Sequence, residues 1–201
     1  MAKKLVIFDF DGVLVDTLFV GHSVTKEVNE NISVDEYKSF FEGNINDSIG
    51  KKINPHPDFF GRYDDYAREI KVPDILKEII KELAQKYTLV IVSSTGTSSI
   101  KKILERENVL QKFETILGND VETSKVKKIK MILDKYNALP KDAVFITDTL
   151  GDILEGEKCG VKAIAVTWGF HDRKTLEKGN PVAIIDDPRD LVGTIENVLV
   201  P

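Results

Sequence analysis

Six short apolar runs recur along the chain, at residues 5–8, 89–92, 115–117, 144–146, 163–166 and 183–185. They are continuously apolar instead of alternating, as strands covered on both faces must be, and segments of helical spacing separate them. The pattern predicts an α/β fold with a parallel sheet. Two of the intervening segments are strongly amphipathic. Residues 73–86 begin with Pro73 in a first-turn position and place Ile75, Leu76, Ile79, Ile80 and Leu83 on one side. Residues 126–136 do the same with Val126, Ile129, Ile132, Leu133 and Tyr136.

Residues 17–72 break this rhythm. They contain no convincing strand, but about three helical stretches separated by turn signals around Asn31-Ile32-Ser33, Gly50 and Asn54-Pro55-His56-Pro57. A segment this long between the first two strands exceeds a simple crossover and predicts a small α-helical cap, or lid, inserted after the first strand. The expected division is a core domain of residues 1–16 and 73–201 and a cap domain of residues 17–72.

Composition narrows the function classes. With 33 acidic and 28 basic side chains the formal charge is −5, so no global cationic field draws the chain to nucleic acid or an anionic membrane. The lysines at 125, 127, 128 and 130 lie on a helix whose apolar side is already defined, which leaves most of them for solvent. One cysteine, Cys159, and three scattered histidines, His22, His56 and His171, supply neither a disulfide nor a zinc site; Cys159 reads as a small buried residue near a helix end and the histidines as surface or structural. The apolar run at the N-terminus is interrupted by Asp9, too early for a signal-peptide core or a membrane span, and a cytoplasmic protein is expected, a monomer or weak homodimer.

Ligands of open parallel sheets gather at the carboxyl ends of the strands, and here those ends are polar. The first reads Phe8-Asp9-Phe10-Asp11-Gly12, the second Val92-Ser93-Ser94-Thr95-Gly96, and the fourth Ile146-Thr147-Asp148-Thr149-Leu150-Gly151-Asp152; the segment after the third leads through Gly118-Asn119-Asp120 to Lys125. Asp9 and Asp11, two apart in extended chain, point to one side, and Gly12 permits a sharp exit. Carboxylates crowded to about 4 Å repel by roughly 4 kcal/mol at an effective dielectric near 20. A hard dication, Mg²⁺ being the best match, and the Lys125 ammonium would offset that repulsion and attract a phosphoryl group. The constellation suits covalent phosphoryl transfer. Asp9 is the candidate nucleophile, Asp11 the general acid and then base, and Asp9, Asp11, Asp148 and Asp152 the candidate metal ligands. Ser93, the Ser94 amide and Lys125 are candidate phosphoryl ligands, helped by the helix start near Gly96-Thr97-Ser98.

These segments resemble the four motifs of the haloacid dehalogenase superfamily, in order. Residues 8–16, Phe-Asp-Phe-Asp-Gly-Val-Leu-Val-Asp, match the first; Ser93, Lys125, and Asp148 with Asp152 match the others. The resemblance is to the phosphatase branch with an α-helical cap, similar to phosphoglycolate phosphatases and β-phosphoglucomutases. It implies a Rossmann-like three-layer core, Mg²⁺ dependence and an aspartyl-phosphate intermediate. Two positions depart from the pattern. Thr147 stands where glycine is usual before the fourth motif, and Val126 where proline commonly follows the lysine, which keeps Lys128 as a second candidate for the lysine role. The expected activity is hydrolysis of a small phosphomonoester, the partner being a small phosphorylated metabolite; a phosphomutase and a non-catalytic phosphate-binding or regulatory module are the alternatives. The cap carries seven Lys or Arg against ten Asp or Glu, a poor grip for a polyanion. Lys51, Arg62 and Arg68 are its candidate substrate contacts, and Trp168-Gly169-Phe170 is a candidate pocket edge.

Overall fold

The computed structural model describes residues 4–199. All six apolar runs are strands: β1 (Leu5–Phe8), β2 (Thr88–Val92), β3 (Phe113–Leu117), β4 (Ala143–Thr147), β5 (Lys162–Val166) and β6 (Ala183–Ile185). They form one sheet in the order β3-β2-β1-β4-β5-β6, and every neighbouring pair is parallel. This is the doubly wound, Rossmann-like α/β fold the pattern predicts.

The continuous apolar runs have a simple cause. In β1, Val6 and Phe8 enter one core with the apolar faces of α5 (Asp74–Lys86), α6 (Thr97–Arg106) and α10 (Leu191–Leu199). Leu5 and Ile7 enter the opposite core, against Ile129, Ile132 and Leu133 of α7 (Lys125–Tyr136). With period-two alternation and helices on both faces, every position must be apolar. A third cluster places Ile153 of α8 (Leu150–Glu157) and Leu176 of α9 (Arg173–Glu177) against Ala163 and Ala165 of β5. Cys159 is buried just past α8, as expected.

Some details differ from the sequence pattern. In α5, Leu76, Ile79, Ile80 and Leu83 are buried but Ile75 is exposed, because it sits at the edge of the apolar stripe in the first turn. Pro73 is the N-cap residue and not part of the helix. On α7, Lys127 and Lys130 face solvent, whereas Lys125 and Lys128 are buried.

Between β1 and α5 the regular elements are all helical, α1 (Leu18–Lys26), α2 (Val34–Ser39), α3 (Ile45–Ser48) and α4 (Phe59–Tyr66) with two 3₁₀ turns, joined by loops. Ser33, Asn44 and Asp58 start α2, α3 and α4 by accepting a backbone N–H with their side chains. Val20, Val24 and Tyr63 of this segment join Phe10, Val13 and Leu14 in the larger core. Leu18, Ile32, Tyr37 and Phe40 form a cluster of their own with Phe170. The three histidines are tied to backbone or acid groups. His22 Nε2 meets the Ile32 carbonyl, His56 Nε2 meets Glu27, and His171 links the Lys38 carbonyl to the Leu150 amide. Among the described residues no helix is long and apolar enough to cross a membrane.

Candidate active site

The sheet order reverses at β1, which lies between β2 and β4; a crevice opens at such a point beyond the carboxyl ends of the strands. The Asp9 N–H donates to the Ile146 carbonyl at 2.9 Å, extending the β1–β4 pairing by one residue and fixing the aspartate at that edge. Beyond it the chain turns sharply: Gly12 has φ +73° and its N–H donates to the Val15 carbonyl at 2.8 Å. Gly12 is required for a second reason. A Cβ there would stand 1.9 Å from Asp148 Oδ2, and one at Gly169 would stand 2.2 Å from the same oxygen. Two side-chain-free positions thus cradle the Asp148 carboxylate, which also accepts the Phe170 N–H at 2.7 Å.

Asp9, Lys125 and Asp152 form a buried ionic cluster. Lys125 Nζ lies 2.8 Å from Asp9 Oδ2 and 2.6 Å from Asp152 Oδ2, while Asp9 Oδ1 accepts the Phe10 N–H at 2.7 Å. Burial works against the Lys125 charge, but Asp152 and Asp9 outweigh it and hold the ammonium protonated. Burial likewise opposes ionisation of Asp152, and Lys125 overcomes it, so this carboxyl stays below its usual range. For Asp9 burial wins over the attraction of Lys125, with Asp152 adding repulsion, and its affinity for a proton rises well above normal. Asp148 is pushed up to about 7 by burial, against the opposing Phe170 amide.

Asp11 is held differently. Thr17 Oγ1 and Tyr63 OH donate to its Oδ1, both at 2.7 Å, and Thr95 Oγ1 and Ser93 Oγ donate to Oδ2 at 2.8 and 3.1 Å. Tyr63 comes from α4 and is fully buried, so the helical insertion reaches the candidate acid directly. Ser93 Oγ also accepts the Thr95 N–H, and the N–H groups of Asp11 and Ser94 have no acceptor among the described residues.

Of the two lysine candidates, only Lys125 contacts Asp9. Lys128 is completely buried beneath the edge and donates to the Ser93 carbonyl at 2.5 Å and the Gly118 carbonyl at 3.5 Å. Burial, then the charge of Lys125, lower its pKa to about 8. At the start of α6 the Thr97 N–H is taken by Asp120 Oδ1 at 2.6 Å. Asp152 sits within the first turn of α8, which Thr149 caps, and is not itself the cap. Thr147, the departure from the usual glycine, donates to Asp152 Oδ2 at 2.9 Å and so adds a ligand to the cluster.

The four aspartates named as metal ligands therefore divide. Both Asp11 oxygens accept hydroxyls and Asp152 Oδ2 is committed to Lys125 and Thr147. No ready group of three or more His, Cys, Asp or Glu ligands exists among the described residues. Asp148 Oδ1, by contrast, is buried with no hydrogen-bond partner among them, a costly state for a carboxylate oxygen unless something cationic meets it. An ion that uses one or two carboxylates and takes its remaining oxygens from backbone, water and phosphoryl groups fits this arrangement, and that is the habit of Mg²⁺.

The sequence pattern of the haloacid dehalogenase-like hydrolases matches residues 6–166; the chain belongs to that family and is a hydrolase. It is 26% identical to the protein named "Probable phosphatase IndB" of Dickeya dadantii, over 98% of this chain and 95% of the relative. It is also 26% identical to pyrophosphatase PpaX of Oceanobacillus iheyensis, over 96% of each. A haloacid dehalogenase-like family protein from Streptococcus pneumoniae shares the fold, with a TM-score of 0.78 at 22% identity, over 96% of this chain and 99% of that one.

Proposed function

We propose that the chain is a Mg²⁺-dependent phosphatase that hydrolyses a small phosphomonoester through an aspartyl-phosphate on Asp9, with residues 17–72 acting as a cap domain over a core of residues 1–16 and 73–201. The observation that carries this reading is the juxtaposition of Asp9, salt-bridged to buried Lys125, with the unpartnered Asp148 oxygen. The phosphatase and pyrophosphatase names of the relatives agree with it.

Asp9 attacks phosphorus, forming an oxygen–phosphorus bond as the ester oxygen leaves. Lys125 holds Asp9 in place and offsets part of the burial that opposes its ionisation, and Asp152 and Thr147 hold Lys125. Asp11 delivers a proton to the leaving alkoxide and then withdraws one from the water that cleaves the aspartyl-phosphate. Ser93 Oγ rotates from Asp11 to a phosphoryl oxygen, and the Ser94 and Asp11 amides supply two more donors. Asp9 and Asp148 would hold Mg²⁺, which supplies charge neutralisation for the carboxylates and the transferring phosphoryl oxygens. The test is phosphate release with and without a chelator. Activity that vanishes in chelator and returns with Mg²⁺ is expected; undiminished release in chelator contradicts the metal role.

A further inference from the structure

The site opens into a cavity of about 180 Å³ that runs from Asp9 and Asp11 into the helical insertion. Its outer wall is mostly apolar, with Phe41, Ile45, Ile49 and Phe60, interrupted by the neutral Asn46 and Asn54. Ile49 and Phe60 stand at its rim, 40% and 37% exposed. Phe60 reaches across to the core edge, where a Cβ on Gly96 would be 3.6 Å from its ring.

The charges facing this space are one-sided. Among the described residues lining it, Lys125 is the sole Lys or Arg, and it is already bound by Asp9 and Asp152. Glu155 adds a further acid, tied to Asn44 at 3.0 Å. His56 lines the wall, but its Nε2 meets Glu27 and its Nδ1 accepts the Asp58 N–H. The cap cations that could have reached a substrate do not line the cavity. Arg62 binds Glu27 and Asp65 and Arg68 binds Asp65, while Lys51 is exposed. A second anionic group on a substrate would enter this space without a cationic partner, which desolvation penalises.

We propose that the substrate is a phosphomonoester whose leaving group is uncharged and largely apolar, no bigger than about one six-membered ring, and that substrates bearing a second anion, such as pyrophosphate or a carboxylate-bearing phosphomonoester, are disfavoured. Cavities of about 150 Å³ accept benzene, so the volume suits one ring beside a phosphoryl group. The proposal rests on the phosphatase reading above and names its substrate class.

Two measurements separate them. Turnover compares benzyl phosphate, n-butyl phosphate, phosphoglycolate and pyrophosphate, with kcat/KM for benzyl phosphate expected to exceed that for either competitor bearing a second anionic group by roughly tenfold or more. Binding compares two molecules that cannot be hydrolysed, benzylphosphonate and phosphonoacetate, by calorimetry on the intact protein with Mg²⁺; benzylphosphonate is expected to bind more tightly. The variants Ile49→Arg and Phe60→Lys, at the exposed rim, are expected to reverse both preferences. Preference for phosphoglycolate or pyrophosphate, or tighter binding of phosphonoacetate, overturns the substrate class and leaves the phosphatase reading standing. Tighter binding of benzylphosphonate with no phosphate released from any ester overturns the phosphatase reading and supports the apolar site.

Discussion

The strand edge and the helical insertion handle charge in opposite ways. At the edge, Asp9, Asp148, Asp152, Lys125 and Lys128 are all buried, each committed to a specific partner except the one Asp148 oxygen. In the insertion, Glu27, Arg62, Asp65 and Arg68 pair with one another on the outer surface, and the inner wall is mostly aromatic and aliphatic, with neutral polar groups and no Lys or Arg of the insertion among the described residues. Buried charges in a medium of low polarisability interact strongly and need a scaffold that cannot relax, whereas exposed pairs are screened and contribute little. Under the proposed function, this division gives bond-making to the edge and choice of leaving group to the insertion.

The largest effect is expected where that division is cut at its centre. Asp9→Asn should lower kcat by roughly 10⁴-fold or more, as loss of a nucleophile does, with binding of benzylphosphonate retained. Next, Asp11→Asn should slow turnover of an alkyl phosphate by about 10² to 10⁴-fold, and less for a leaving group such as p-nitrophenolate that needs no proton. Equal losses for both would remove Asp11 from the acid role. Gly169→Ala should displace Asp148, raising the Mg²⁺ concentration needed for half-maximal activity and destabilising the fold by roughly 1–3 kcal/mol, read in a metal titration and a denaturant melt.

Smaller effects probe the join between the two regions. Tyr63→Phe removes one hydroxyl from Asp11 and should cost about 0.5–1.5 kcal/mol of stability, with a change in the pH profile of kcat that Tyr63→Leu would share. The outer surface should matter least. Arg62 lowers the Glu27 pKa to about 2, chiefly through its hydrogen bond. A depressed carboxyl pKa contributes stability above its unfolded value, near 4.5, that is lost as pH falls towards 2. Arg62→Ala should therefore move the onset of acid unfolding upward in pH while leaving kcat/KM at neutral pH unchanged.

The sheet was legible because burial on both faces imprints every strand residue, as in Leu5–Phe8, and the six runs needed no tertiary information. The site was legible where chemistry clusters at strand ends: Asp9 and Lys125 meet as their spacing suggested. What escaped detection depends on contacts between distant segments. Tyr63 lies in an ordinary amphipathic stretch, and nothing local marks its hydroxyl as a partner of Asp11. Lys128 sits in a lysine-rich stretch next to exposed Lys127, yet the helix turns it under Ser93 and Gly118, where two carbonyls meet its ammonium. The hydroxyls that meet Asp11, and the approach of Asp120 from another loop to the Thr97 N–H, likewise carry no local signal. Asp65 lies three residues from both Arg62 and Arg68, a pairing that helical spacing allows, but the main partner of Arg62, Glu27, lies 35 residues away and carries no local signal.

The most direct test of the chemical claim is a crystal structure of the protein with Mg²⁺ and beryllium trifluoride, which mimics a phosphoryl group bonded to a carboxylate. The mimic is expected on a side-chain oxygen of Asp9, with the metal against Asp148. Its appearance on Asp11, Asp148 or Asp152, or at Asp9 with Asp148 left without a cation, would contradict the account.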